Sequence, residues 1–222
     1  LWLCLRIYLR LHFKCEVRGP VPKFEDGPVL IAPTHASHLD VVACLAGLPR
    51  AIRRRIAVAG AADHIFSQPT WMQRIVRWGV HAFPFVRHGG SHDSLNECVE
   101  RLRNGSWVLM FPQAGRTTGD PHGLTPGFLA VASRAGVPYV PVRIRGSERA
   151  MKKGDVLPRR AHVTVEFAAP RVVPSIVRAC RNTEYRQSLY RTILGRMEHE
   201  FDEMDRKAHQ GLLLPAPRAG RP

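Results

Sequence analysis

A chain of 222 residues with 45% hydrophobic content is long enough for one sizeable domain and short for two. Lysine and arginine outnumber acidic residues 33 to 18, a net charge of +15, so the surface attracts anions: nucleic acid, anionic lipid headgroups, or a phosphorylated substrate or carrier. The five scattered cysteines (Cys4, Cys15, Cys44, Cys98, Cys180) form no CxxC pair, which argues against a disulfide framework or a cysteine-based zinc site and fits a reducing compartment.

Leu1 to Lys14 reads as a basic amphipathic helix. Arg6, Arg10 and Lys14 recur every four positions beside an apolar stripe of Trp2, Leu5, Leu9 and Phe13. About 13 residues reach only ~20 Å along a helix, short of the ~30 Å hydrocarbon core of a bilayer. The segment therefore suits an interfacial helix, or one that packs on its own domain, with a truncated transmembrane helix as a third reading. No signal peptide is recognisable, and the sequence starts at Leu1 rather than at a methionine.

Glu16 to Gly27 reads as a short strand and a Pro/Gly-rich connection, followed by a buried strand over Val29–Ala32. A Pro/Thr/Ser turn then leads into a helix through Val41, Val42, Leu45 and Leu48. His35 falls in that turn and Asp40 in the first turn of the helix, so the chain can fold back to bring imidazole to carboxylate. Such a pair fixes the ring tautomer and raises the basicity of the other nitrogen, as needed to take a proton from an alcohol. The spacing alone is weak, since His88 and Asp93 repeat it, and a turn histidine beside a helix-capping aspartate has the same signature.

Arg53-Arg54-Arg55 is a basic cluster, read as a solvated loop before a strand over Ile56–Ala59. A short helix over Thr70–Trp78 and a strand over His81–Val86 follow. Ser91–Asn104 carries the clearest helix signals: Ser91 as N-cap, an apolar face of Leu95, Cys98, Val99 and Leu102, and Gly105 as the stop. Then come a buried strand over Trp107–Phe111, a small-residue helix over Pro126–Ala135 and strands over Tyr139–Ile144 and His162–Phe167. A final helix over Thr183–Lys207 carries mixed charges on its polar side, read as a solvated face. The alternation predicts a single α/β domain over residues 16–208, with a mainly parallel central sheet flanked by helices. An N-terminal helix over 1–15 precedes it and a disordered tail over 209–222 follows.

Three later strands end in loops of interest. Phe85-Val86-Arg87 places an arginine past one strand, and Phe111-Pro112-Gln113-Ala114-Gly115-Arg116-Thr117 places another in a Gly-containing loop. Val137-Pro138-Tyr139-Val140-Pro141-Val142 leads to Arg143, Arg145 and Gly146-Ser147. In an open α/β sheet, ligands bind outside the carboxyl ends of the strands, where these loops and His35 gather. Two arginines converging there form a clamp for a phosphate group.

In this order the blocks resemble those of the glycerophospholipid acyltransferase family, the type that acylates lysophosphatidic acid or glycerol 3-phosphate. Thr34-His35-Ala36-Ser37-His38-Leu39-Asp40 is similar to its Asn-His-x-Ser-x-x-Asp block, with Thr in place of Asn. The Phe111–Thr117 segment is similar to Phe-Pro-Glu-Gly-x-Arg-Ser, with Gln113 and Ala114 in place of Glu and Gly. The likeness runs over about residues 16 to 170.

The resemblance implies an O-acyltransferase with His35 as general base, Asp40 orienting it, Arg87 and Arg116 holding the acceptor's phosphate, and Thr34, Ser37, Gln113 and Gly115 supporting the loops. The acceptor is a lysophospholipid or glycerol phosphate and the donor acyl-CoA or acyl carrier protein, with no metal and no resident cofactor. Partnership with an anionic membrane surface on the cytoplasmic face is implied, and no nucleic acid. Because Gln113 keeps the shape of Glu and loses its charge, Gln113→Glu is expected to raise activity or leave it intact. Two other readings compete: a lysophospholipid-binding relative with weakened or lost turnover, and a basic nucleic-acid-binding domain. Against the second, only 8% of residues are aromatic and they do not interleave with a basic stripe.

Overall fold

In residues 29–33 every side chain is apolar, and in an extended strand alternate residues face opposite sides. Leu30 and Ala32 pack into one hydrophobic cluster, Val29 and Ile31 into another. A strand apolar on both faces belongs in the middle of a sheet covered by helices on each side. The computed structural model, which describes residues 13–37, 39–61, 79–86, 92–113, 122–150 and 159–211, has that arrangement.

The strands are β1 (Phe13–Arg18), β2 (Leu30–Pro33), β3 (Ile56–Ala61), β4 (Ala82–Phe85), β5 (Trp107–Leu109), β6 (Tyr139–Arg145) and β7 (Ala161–Phe167). They form one seven-stranded sheet in the order β1-β7-β6-β2-β5-β3-β4. Every neighbouring pair is parallel except β6 with β7. The helices are α1 (Leu39–Gly47), α2 (Arg50–Arg53), α3 (His92–Arg103), α4 (Gly127–Ala135), α5 (Ser147–Ala150), α6 (Ser175–Ala179) and α7 (Thr183–His209). Residues of α1, α2 and α5 share the cluster of Val29 and Ile31; residues of α3, α4, α6 and α7 share that of Leu30 and Ala32. The result is a three-layer α/β sandwich.

Several boundaries differ from the sequence reading. Phe13 and Lys14, expected to close the N-terminal helix, open β1 and pair in parallel with Ala161 and His162. The signal was present: Phe13, Cys15 and Val17 alternate with Lys14, Glu16 and Arg18, a period of two. His81 stands before β4 with φ 51, a left-handed conformation that ends the extended run on that side. Of the arginine cluster, Arg53 closes α2 and its guanidinium donates to the Leu48 carbonyl, while Arg55 lies over the Phe24 ring at 5.0 Å. α7 runs two residues past its expected end, to His209. The N-terminal helix before residue 13, the helix over Thr70–Trp78, the Ser91 cap and the tail from residue 212 lie outside the described residues.

Close approach of backbone dictates glycine at two positions, Gly19 against the Phe167 carbonyl and Gly146. Gly146, φ 84, turns the chain from β6 into α5, and a Cβ there would meet the His162 carbonyl oxygen at 2.1 Å.

Candidate active site

Strand β2 delivers residues 34 to 37 to the carboxyl end of the central strands, next to the ends of β5 and β6. The chain turns there because α1 starts two residues later, and Asp40 closes the turn from within the helix. Its Oδ2 accepts the Ala36 and Ser37 N–H groups, both at 2.7 Å, and lies 3.1 Å from His35 Nδ1. Ser37 Oγ accepts the Leu39 N–H at 3.3 Å. A carboxylate in the first turn of a helix also gains from the partial positive charge there. Asp40 is fully buried and the His35 side chain is 13% exposed.

The imidazole is fixed on a second side by Phe111, which leaves β5 and stacks on it with ring centroids 4.0 Å apart. Its peptide is fixed on a third. The His35 N–H donates to Gln113 Oε1 at 2.6 Å, while Gln113 Nε2 donates to the His122 carbonyl at 3.0 Å. A carboxylate could fill the first role but not the second, because the second needs a donor. The departure at Gln113 is thus a two-ended amide bridge. It closes the base of the loop after β5, together with the Gln113–Leu124 bridge and the bonds from the Thr125 N–H and Oγ1 to the Pro112 carbonyl, both 2.7 Å.

Thr34 is buried and faces the opposite layer. Along β2 the side chains of Leu30, Ala32 and Thr34 point to the side of α7; along β6, Arg143 and Arg145 do the same, out of phase with Val142 and Ile144. Thr34 Oγ1 accepts the Ile144 N–H at 3.0 Å and an Arg143 Nη1–H at 3.4 Å. Arg143, 6% exposed, forks onto Asp205 of α7 through Nε at 2.9 and 3.2 Å and Nη2 at 2.7 Å. Arg145 donates to Asp205 at 3.1 Å and to Glu166. Burial alone would push the Asp205 carboxyl up, but the hydrogen bonds and charges of Arg143 and Arg145 outweigh it and hold the group below its ordinary value.

Cys44 lies one turn beyond Asp40 on α1. Burial, with the Asp40 charge adding, pushes its thiol far up, so it remains protonated and offers no thiolate to an acyl group. Of the residues singled out in the sequence, His35, Asp40, Thr34, Ser37 and Gln113 come together around one turn. Arg87, Gly115 and Arg116 lie outside the described residues. The ring stack of Phe111, the partners of Gln113 and the Arg143–Asp205 fork were not anticipated. A charged residue in an apolar strand and three carboxylates on one side of α7 were the available signals.

A doubly covered, mostly parallel sheet with a His–Asp pair at its carboxyl end, the carboxylate fully buried, defines an α/β protein with an imidazole oriented by a carboxylate. The Acyltransferase family model matches residues 13–145, more than half of the chain, and the chain belongs to that family. It is 27% identical over 157 residues to the chloroplastic 1-acyl-sn-glycerol-3-phosphate acyltransferase BAT2 of Brassica napus, a match covering 69% of this chain and 43% of that protein. It thus spans less than half the length of that relative. It is 29% identical over 154 residues to the 1-acyl-sn-glycerol-3-phosphate acyltransferase of Bacillus subtilis (strain 168), covering 68% of this chain and 73% of the other. The fold is similar to the crystal structure of the 1-acyl-sn-glycerophosphate acyltransferase PlsC from Thermotoga maritima, with a TM-score of 0.58 and 20% identity over 89% of this chain and 75% of that one.

Proposed function

We propose that the protein transfers a fatty acyl group from a thioester, acyl-CoA or acyl carrier protein, to the free hydroxyl of 1-acylglycerol 3-phosphate. The observation that carries this reading is the 3.1 Å contact between His35 Nδ1 and a fully buried Asp40, in a chain of the acyltransferase family. With its proton held on Nδ1 by the carboxylate, the imidazole presents Nε2 as a base. Nε2 takes the hydroxyl proton as the oxygen attacks the thioester carbonyl. The C–O bond forms, the C–S bond breaks, and the thiol leaves with the proton returned by His35. The buried, protonated Cys44 supports direct transfer over a thiol-borne acyl intermediate. The acceptor's phosphate is assigned to Arg87 and Arg116 on the sequence pattern, because guanidinium pairs bidentately with phosphoryl oxygens. The reaction draws on side chains and a thioester co-substrate, with no resident cofactor.

Such an acceptor lives in a bilayer. Among the described residues no helix is long and apolar enough to cross one, and the net charge of +15 suits binding to an anionic surface on the cytoplasmic face.

The test is a mass-spectrometric acyl-transfer assay over lysophosphatidic acid, glycerol 3-phosphate and a neutral monoacylglycerol, each with acyl-CoA and acyl carrier protein donors. Diester product from lysophosphatidic acid is expected, with a loss of at least ~100-fold in His35→Ala, the scale of a general base. Absence of His35-dependent product from every acceptor would overturn the assignment in favour of a lipid-binding relative without turnover.

A further inference from the structure

Three carboxylates of α7 form a stripe whose partners are the 122–124 segment and the arginines of β6. Glu198, Asp202 and Asp205, four and three residues apart, lie on one face of the helix. Each directly follows a buried anchor, Met197, Phe201 and Met204, so core packing sets where the acids stand. Glu198 Oε1 accepts the N–H groups of Gly123 and Leu124 at 3.1 and 3.3 Å, and the His122 ring sits between Glu198 and Asp202 at 3.8 and 3.3 Å. Asp205 takes the fork of Arg143.

Two routes lead from this stripe to one peptide. The first runs from Glu198 to the His122–Leu124 backbone, from the His122 carbonyl to Gln113 Nε2, and from Gln113 Oε1 to the His35 N–H. The second runs from Asp205 to Arg143, and from Arg143 Nη1 to Thr34 Oγ1. They meet at adjacent residues, Thr34 and His35. α7 lies beyond the 13–145 region by which the family is recognised.

We propose that α7 is a strut for the reaction: Glu198 acting through Gln113, and Asp205 acting through Arg143 and Thr34, hold the Thr34–His35 peptide from two sides and set where the imidazole stands. Both acids are positioning residues. A misplacement of about 1 Å at a reacting group costs on the order of 100-fold in rate, so small slack in either arm has a measurable effect. The proposal rests on the general-base role of His35 given above, and its test includes a readout independent of turnover.

Glu198→Ala and Asp205→Asn are compared with wild type by amide hydrogen exchange and by steady-state kinetics, after circular dichroism and thermal unfolding confirm native folding at the assay temperature. The amides of His35, Ala36 and Ser37 report directly, since Gln113 and Asp40 accept their bonds. Exchange over residues 33–44 is expected to rise ~5-fold or more in each variant, with residues 56–61 of β3 unchanged. The kcat is expected to fall ~5- to 20-fold with KM held within ~2-fold, as for a group acting only on the transition-state arrangement. Adding Thr34→Val to Asp205→Asn should cost little beyond the larger single effect. Unchanged exchange over 33–44, or rate losses that multiply in the double variant, would overturn the strut. If wild type shows no acyl transfer, the function assignment fails and the exchange data alone decide the strut. Should Asp205→Asn not fold, the partly exposed Glu198 carries the same test through Glu198→Ala, with Glu198→Gln, which keeps an acceptor for the Gly123 and Leu124 N–H groups, expected to return exchange and rate toward wild type.

Discussion

The ring of His35 is held from five residues away, by Asp40 in the first turn of α1; its peptide is held from 78 residues away by Gln113, and Thr34 from 109 away by Arg143. The α1 turn is a local device that needs only its own backbone and one carboxylate. The α7 side is a device of the whole fold, since every link crosses from one element to another. The near contacts fix the orientation of the ring and the charge beside it. The far contacts set its place. Substitutions on the two sides should therefore differ in size and in kind.

The largest effect is expected on the α1 side. Asp40→Asn keeps an oxygen that can accept the Ala36 and Ser37 N–H groups, so the turn and the melting temperature should change little. The ring loses its anionic partner, and the tautomer that carries its proton on Nδ1 loses its advantage. A fall in kcat of ~10²- to 10⁴-fold is expected. Combining His35→Ala with Asp40→Asn should cost no more than His35→Ala alone, because the two act as a unit. A drop of only a few fold would mean that the pair shapes a turn and does no proton transfer.

That asymmetry also explains what could be read from the chain. The strands, the order of the blocks and the His35–Asp40 spacing follow from periodicities of two and 3.6 and from a turn only a few residues long, all local signals. The bridge from Gln113 to His122, the fork from Arg143 to Asp205 and the place of Phe111 over the imidazole depend on how β5, β6 and α7 are stacked, which no single window of sequence states. Arg143 sits among apolar neighbours in β6, and its phase opposite to Val142 and Ile144 marked it as facing a partner, without naming one. The acids of α7 looked solvated because a helix pattern shows which residues share a face and not what that face meets. Gln113 is the instructive case: charge alone suggests that Glu would serve as well or better, whereas the amide found there accepts at one end and donates at the other, and a carboxylate has no donor for the second bond.

An intermediate effect is expected there. Gln113→Glu retains an acceptor for the His35 N–H, removes the donor to the His122 carbonyl and places a carboxylate oxygen against that carbonyl. Leaving such a group unsatisfied costs roughly 1–3 kcal/mol. If ~1–2 kcal/mol of that reaches the transition state, the rate falls about five- to thirty-fold. Parallel measurement of melting temperature and kcat should show both decline. Activity above wild type would restore the charge-based expectation and remove Gln113 from the far set of contacts.

The smallest effect separates the two sides by pH. The Asp205 carboxyl has its folded value depressed below the ordinary 3.8, because Arg143 and Arg145 more than offset its burial. A depressed carboxylate stabilises the fold fully above its unfolded value, and that contribution is lost as pH falls through the folded one. The difference in melting temperature between wild type and Asp205→Asn should therefore be constant from about pH 5 to 8 and shrink as acid passes the ordinary carboxylate value and then the lowered one. The same comparison made with Glu198→Gln, whose partners are backbone N–H groups and the His122 ring rather than guanidinium ions, removes the Arg143 arm from the difference. A gap for Asp205→Asn that stays open at low pH would mean the fork acts by shape and not by charge. Arg143 would then stand in its buried place without the anion that the geometry assigns to it.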